Sequence, residues 1–142
     1  MTSFEAARPR YKLPLAGEEF DLVGTMELVE AVEYALGRGV GYVAIEVIDV
    51  MPGWELAKLL SAVVTASGGK LSVPQAKNLL WDTVGLSGDA NKLLRVHLYQ
   101  FLAICLAPPE QREERANKAG ELLGRLSEAS RGGSTSSSAS AS

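Results

Sequence analysis

The chain has 142 residues, of which 46% are apolar, with 17 acidic and 14 basic side chains and a formal net charge of −3. That length suits one domain with its own hydrophobic core. The mild acidity offers none of the basic footprint that holds proteins on phosphate backbones or anionic membranes, and a lone cysteine, Cys105, excludes an intrachain disulfide and a cysteine-rich metal site. The expectation is a soluble cytoplasmic protein that binds neither nucleic acid nor membrane. Residues 1–10 lack the continuous apolar core of a secretory signal, and the longest near-apolar run, residues 98–106, falls well short of the roughly 20 residues that span a bilayer.

In chain order, residues 1–9 show no periodicity and read as a flexible arm. Tyr11, Leu13 and Leu15 then alternate with Lys12 and Pro14, and Phe20-Asp21-Leu22-Val23 alternates again after Ala16-Gly17-Glu18-Glu19. This is a β-hairpin pattern with a four-residue turn, and Pro14, which has no amide donor, suits an edge strand. Thr25 is a good N-cap for a helix over residues 25–36, with Glu27 and Glu30 near its positive end, an apolar stripe of Met26, Leu28, Val29, Val32 and Leu36, and Gly37 as its stop. The glycines of Gly37-Arg38-Gly39-Val40-Gly41 follow a helix where a dinucleotide fingerprint would follow a strand, so this segment reads as a flexible helix-ending loop.

Residues 42–50 (YVAIEVIDV) suit either a strand, by their β-branched content, or a helix, since Val43, Val47 and Val50 share one helical face. After the Met51-Pro52-Gly53 breaker, a helix carries Trp54, Ala57, Leu60, Ser61 and Val64 as far as Gly68-Gly69. Ser72 caps the next helix, with Pro74 in its first turn and Ala76, Leu79, Leu80 and Val84 on its buried face, and Trp81 at the margin. Gly85 ends it. Ser87 or Asp89 caps a last apolar helix bearing Leu94, Leu98, Phe101 and Cys105, whose wide apolar sector implies a central position or an oligomer interface. Pro108-Pro109 closes this hairpin-plus-helices domain, residues 10–108. Residues 109–129 form a charged, marginal helix with only Ala116, Ala119, Leu122, Leu123 and Leu126 for a stripe, and residues 130–142 a Ser/Gly-rich disordered tail. The fold class expected is α+β, mainly α: an N-terminal β-hairpin followed by a compact bundle of about five helices.

Candidate chemistry is thin. His97 is the only histidine and reads as a core or boundary residue, while Cys105 reads as a buried, inert thiol. Glu27, Glu30 and Glu33, and the pair Glu46 and Asp49, read as solvated acidic faces, because the Glu-x-x-His pattern of a di-metal carboxylate site is missing. The helix pair in residues 71–106 offers only Lys92, Arg95, His97 and Gln100 as polar readers of DNA. Trp54 and Trp81 read as core anchors before ligand platforms. No catalytic, metal-binding or cofactor-binding residue is expected.

The order of features nevertheless resembles one family. A hairpin of the form L-x-L-x-G-x-x-[FY]-x-L, from Leu13 to Leu22, leads into Thr25-Met26-x-Leu28 and a short helix ending Ala35-Leu36-Gly37; then come a breaker, a helix, Gly-Gly, Leu71-Ser72, a helix ending Val84-Gly85-Leu86 and an apolar helix. Residues 11–106 thereby resemble the small tail assembly chaperones of long-tailed phages (siphophages), and in particular the tail-chaperone-like protein of gene transfer agents. The resemblance implies that residues 42–50 are helical. It also implies a non-enzymatic role: binding the long apolar tape-measure protein in the host cytoplasm, keeping it soluble, recruiting tail-tube protein, and leaving before the virion matures. In many such phages a programmed frameshift adds a second domain. A chaperone for apolar helices should form a homo-oligomer or present an apolar groove, and the candidates for its exposed partner-binding side chains are Val43, Val47, Trp54, Leu122, Leu123 and Leu126. The rival reading is a small cytoplasmic helical interaction or regulatory module of another partner.

Overall fold

The computed structural model describes residues 7–121. Strands β1 (Arg10–Leu15) and β2 (Glu18–Val23) form a two-stranded antiparallel hairpin with Arg10 opposite Val23 and Leu15 opposite Glu18. The turn is two residues, Ala16 and Gly17, shorter than the four expected, and both take positive φ (53° and 82°). Paired positive φ values match the right-handed twist of the flanking strands, which lets Glu18 and Glu19 join the ladder. Tyr11, Leu13 and Leu15 point into the core and Lys12 and Pro14 outward, as their alternation predicts.

The arm expected over 1–9 is tied down at residues 7–9. Gly24 N–H donates to the Pro9 carbonyl (2.8 Å), and Arg112 Nη1 donates to the Ala7 carbonyl (3.0 Å).

Helix α1 (Met26–Leu36) starts as expected, Thr25 Oγ1 accepting from Leu28 N–H at 3.1 Å, and ends on Gly37 in the left-handed region. Helix α2 (Val40–Glu46) follows, and its last turn continues as hydrogen-bonded turns through residues 47–50, Val47 N–H donating to Val43 and Val50 N–H to Glu46. The ambiguous segment is thus helical over its first half, without strand. Helix α3 (Gly53–Ala66) buries Leu56, Ala57, Leu59, Leu60, Val63 and Val64. Helix α4 (Val73–Leu79) opens on a capping box in which Ser72 Oγ accepts from Gln75 N–H and Gln75 Oε1 accepts from Ser72 N–H, and it runs on into one π-helical turn, Leu80–Val84. Helix α5 (Asp89–Leu106) is the longest among the described residues. Its cap is neither Ser87 nor Asp89 but Gly88, whose φ of 91° and ψ of −177° form a conformer open essentially to glycine, so the chain turns into the helix before either side chain can accept. Helix α6, residues 109–121, continues the chain; the rest of the charged segment and the tail lie outside the described residues.

The architecture is α+β, mainly α. Helix α1 packs on α3, α3 on α4, and α2 lies along α5. The hairpin covers the bundle from one side: Tyr11 sits edge-on to His97 and tilted against Phe101, and Val23 N–H donates to Ser67 Oγ at the end of α3. Leu13, Leu22, Leu28, Leu60, Leu98 and Phe101 are wholly buried where these layers meet, each contributing about 1.5–3 kcal/mol. No helix among the described residues is long and apolar enough to cross a membrane.

Candidate protein-binding surface

Short α2 divides its residues between core and solvent. Val40, Val43, Ala44 and Val47 recur at the i, i+3, i+4, i+7 spacing of one helical face and are buried, Val43 and Val47 at 0% exposure. Those two residues, expected on the partner surface, are therefore core. The outer face of the helix presents Tyr42 (70% exposed) and Ile45 (72%), and Val50, which the periodicity puts with the buried valines, is exposed because the helix has ended before it. Trp54 is 55% exposed, as the surface assignment requires, with Lys58 Nζ 5.1 Å above its ring. Trp81 is 74% exposed; it lies on the outer side of the π turn, opposite Leu80 and Val84. Neither tryptophan is a core anchor. Leu122, Leu123 and Leu126 lie outside the described residues.

Two arginines fasten α2. The loop at Arg38 is stapled, not flexible: Nε donates to Glu46 Oε1 (2.6 Å), Nη1 to the Leu36 carbonyl (2.9 Å) and to Glu55 Oε2 (2.9 Å), and Nη2 to Glu55 Oε1 (2.7 Å). The hydrogen bonds that Arg38 donates, to Glu55 first and Glu46 second, raise its pKa, and the same bond lowers that of Glu55. Arg95 is buried in α5, its Nε donating to Asn91 Oδ1 (2.8 Å), Nη1 to the Val47 carbonyl (3.1 Å) and Nη2 to the Met51 carbonyl (2.8 Å). Burial lowers its pKa, partly offset by the charge of Asp49. Glu33, expected to be solvated, is half-buried, and its Oε2 accepts from Val40 N–H at 2.9 Å. It supplies from α1 the cap that Gly39, lacking a side chain, leaves open.

A cavity of about 470 Å³ lies between the start of α1, the start of α2 and the end of α5. Met26, Val29, Val40, Cys105 and Leu106 supply its apolar wall, with Arg8, Glu27 and Arg112 also lining it. Arg112 braces this wall, Nε donating to the Ala107 carbonyl at 2.9 Å while Nη1 holds Ala7. A second, shallower hollow of about 350 Å³ is lined by Glu33, Gly39, Gly41, Tyr42 and Ile45, and shares Val40 with the first.

Burial sets the state of the two side chains with candidate chemistry, Cys105 and His97. Burial pushes the Cys105 thiol up to about 11, so little thiolate forms near neutral pH. His97 is buried and its pKa lowered by desolvation; its Nδ1 lies 2.8 Å from the Tyr11 hydroxyl, within hydrogen-bond distance, and burial raises the pKa of that hydroxyl. His97 is thereby engaged with the hairpin, not with Cys105. Among the described residues no group of three or more His, Cys, Asp or Glu could hold a metal ion. Arg95 and His97 face inward, which removes two of the four polar readers from the helix pair considered for DNA.

Sequence reasoning missed the two arginine fastenings and the cavity. Arg95 carried a signal: an arginine amid Leu94, Leu98 and Phe101, with Asn91 one turn before it, asks for buried acceptors. Arg38 carried none, since its partners stand 8 and 17 residues away. Compared with known proteins, the chain matches no protein-family model, and no curated protein or solved structure matches it.

Proposed function

We propose that this chain is a tail assembly chaperone of long-tailed phages or gene transfer agents, a non-enzymatic protein that binds apolar helical segments of the tape-measure protein in the host cytoplasm and helps to recruit tail-tube subunits. The observation that carries the reading is the apolar cavity walled by Met26, Val29, Val40, Cys105 and Leu106, open at the end of the bundle and without a reactive group. Its volume accommodates two or three large aliphatic side chains of a client helix, and Arg8, Glu27 and Arg112 offer polar partners for the flanks of that helix. The order of hairpin, capped short helix, Gly-Gly, Ser-capped helix and long apolar helix supports the same reading.

The test is co-expression with the tape-measure protein of the same assembly locus. Leu106→Asp places a charge on the cavity wall and should send the client to the insoluble fraction, with Trp54→Ala weakening solubilisation less. If Leu106→Asp folds normally and the client stays soluble, the cavity is not the client site.

A further inference from the structure

The shallow hollow of about 350 Å³ beside α2 lies in the most acidic stretch of the fold. Residues 24–57 hold six acidic side chains and one basic, and the basic one, Arg38, is paired with both Glu46 and Glu55. Tyr42 and Ile45, one turn apart on α2, expose their side chains at the hollow, with Val40 between it and the larger cavity. Carboxylates border this apolar surface. Glu33 lines it from α1, with one oxygen on the Val40 amide; exposed Glu30 precedes Glu33 by one turn; and exposed Asp49 follows Ile45 by one turn.

The basic side chains of the neighbouring elements are engaged or placed elsewhere. Helix α5, along which α2 lies, carries no Asp, Glu, Lys or Arg over residues 96–109, and His97 within them is buried. Arg95 is buried and bonded to carbonyls beyond the end of α2, and Lys92 stands nearer still to the start of α5, whereas Val40 at the start of α2 shares a cavity with Cys105 and Leu106 at the other end. Arg115 and Lys118 line a separate hollow against Gln100, Ala103 and Ile104. Lys58 lies over Trp54, and Lys12 pairs with Glu19 and Asp21 on the hairpin. Arg8 and Arg112 line the larger cavity together with Glu27, and Arg112 is turned to the carbonyls of Ala7 and Ala107.

We propose that this hollow docks a short basic amphipathic helix of a partner protein. Two aliphatic side chains one turn apart on the partner fill the hollow against Val40, Tyr42 and Ile45, and lysines or arginines flanking that stripe meet Glu30, Glu33 and Asp49. The charge selects the occupant: an apolar centre bordered by carboxylates, with no opposing cation, favours a basic partner and repels an acidic one. The inference goes beyond the chaperone reading and does not depend on it, since the client cavity is walled by other residues except Val40.

Fluorescence anisotropy with the full chain tests it. The probe is a labelled peptide of about 18 residues, roughly 27 Å long as a helix, made of leucine, alanine and lysine with the leucines on one helical face and lysines at its flanks. Two companions carry the same composition with the leucines scrambled, or glutamate in place of lysine. The striped basic peptide should bind in the micromolar range, at least tenfold more weakly in about 0.5 M than in about 0.05 M NaCl, and at least tenfold more tightly than either companion. Ile45→Ser should weaken it about tenfold, with an unchanged circular dichroism spectrum. Glu30→Lys combined with Asp49→Lys should reverse the preference, so that the glutamate peptide binds and the lysine peptide does not, an exchange that a packing defect does not produce. Leu106→Asp, on the client cavity, should leave binding unchanged. A wild type that binds none of the three peptides, or the scrambled one as tightly as the striped one, overturns the proposal. So does binding that survives Ile45→Ser, a charge reversal that leaves the preference as it was, or binding lost in Leu106→Asp, which assigns the peptide to the client cavity.

Discussion

Replacing Arg95 by methionine should detach the end of α2 from the bundle. The guanidinium satisfies three acceptors, the carbonyls of Val47 and Met51 and Asn91 Oδ1, in a buried setting. Methionine fills much of the volume but donates to none of them, and a buried acceptor left alone costs about 1–3 kcal/mol. Against that, burying the guanidinium is itself costly, which its lowered pKa reflects, so the loss is smaller than three full penalties. The expected net destabilisation is about 3 kcal/mol, which urea unfolding followed at 222 nm resolves well. Amide exchange locates it: protection of Val47, Val50 and Met51 should fall by more than that of Leu98 or Phe101. Arg38→Met, which frees the other side of the same helix, should cost about 1–2 kcal/mol, and the double variant should lose less than the two losses added together, by about 1 kcal/mol, because a helix already detached has little left to lose. A loss below about 1 kcal/mol for Arg95→Met, or additivity of the pair within about 0.3 kcal/mol, would refute the view of α2 as one unit held by two arginines.

His97 has a folded-state pKa below its unfolded value near 6.5, so the unfolded chain binds the extra proton first; stability should be fully present above about pH 6.5 and fall below it, by at most about 1.4 kcal/mol per pH unit, and His97→Gln should flatten the curve between about pH 7 and 5. Ala16→Gly should stabilise the hairpin by about 0.5–1 kcal/mol, because Ala16 holds a φ of 53°, and an unchanged urea midpoint would mean that the turn bears no strain. Cys105, with its thiol at about 11, should react with iodoacetamide far more slowly at pH 7 than a free cysteine does, and a rate matching the free amino acid would show that its side of the cavity is wet and mobile.

What could be read from the sequence was what is local. Thr25 and Ser72 as caps, Gly37 as a stop, the alternation of Tyr11, Leu13 and Leu15, and the apolar stripe of α5 each depend on neighbours within a turn or two, and each stands as expected. The misreadings fall where distant residues decide. Val43 and Val47 belong to a face that is apolar by periodicity, but whether such a face meets the core or a partner depends on α5, about fifty residues later. Trp54 and Trp81 are both exposed where a core anchor would be buried, because nothing in their own sequence neighbourhood says which side of a helix the rest of the fold covers.

Helix α2 shows why the same segment was hard to read and is suited to present a surface. Seven residues are too few to hold a helix in water, and its valines favour strand, so intrinsic propensity contributes little to its state. Its conformation comes from Glu33 capping its first amide, from Arg38 bracing Glu46, and from Arg95 gathering the carbonyls beyond its end. None of these partners lies on the exposed face, which leaves Tyr42 and Ile45 free of structural duties. A short helix clamped from behind can thus offer apolar side chains to a partner at little ordering cost, since their backbone is already fixed before the encounter.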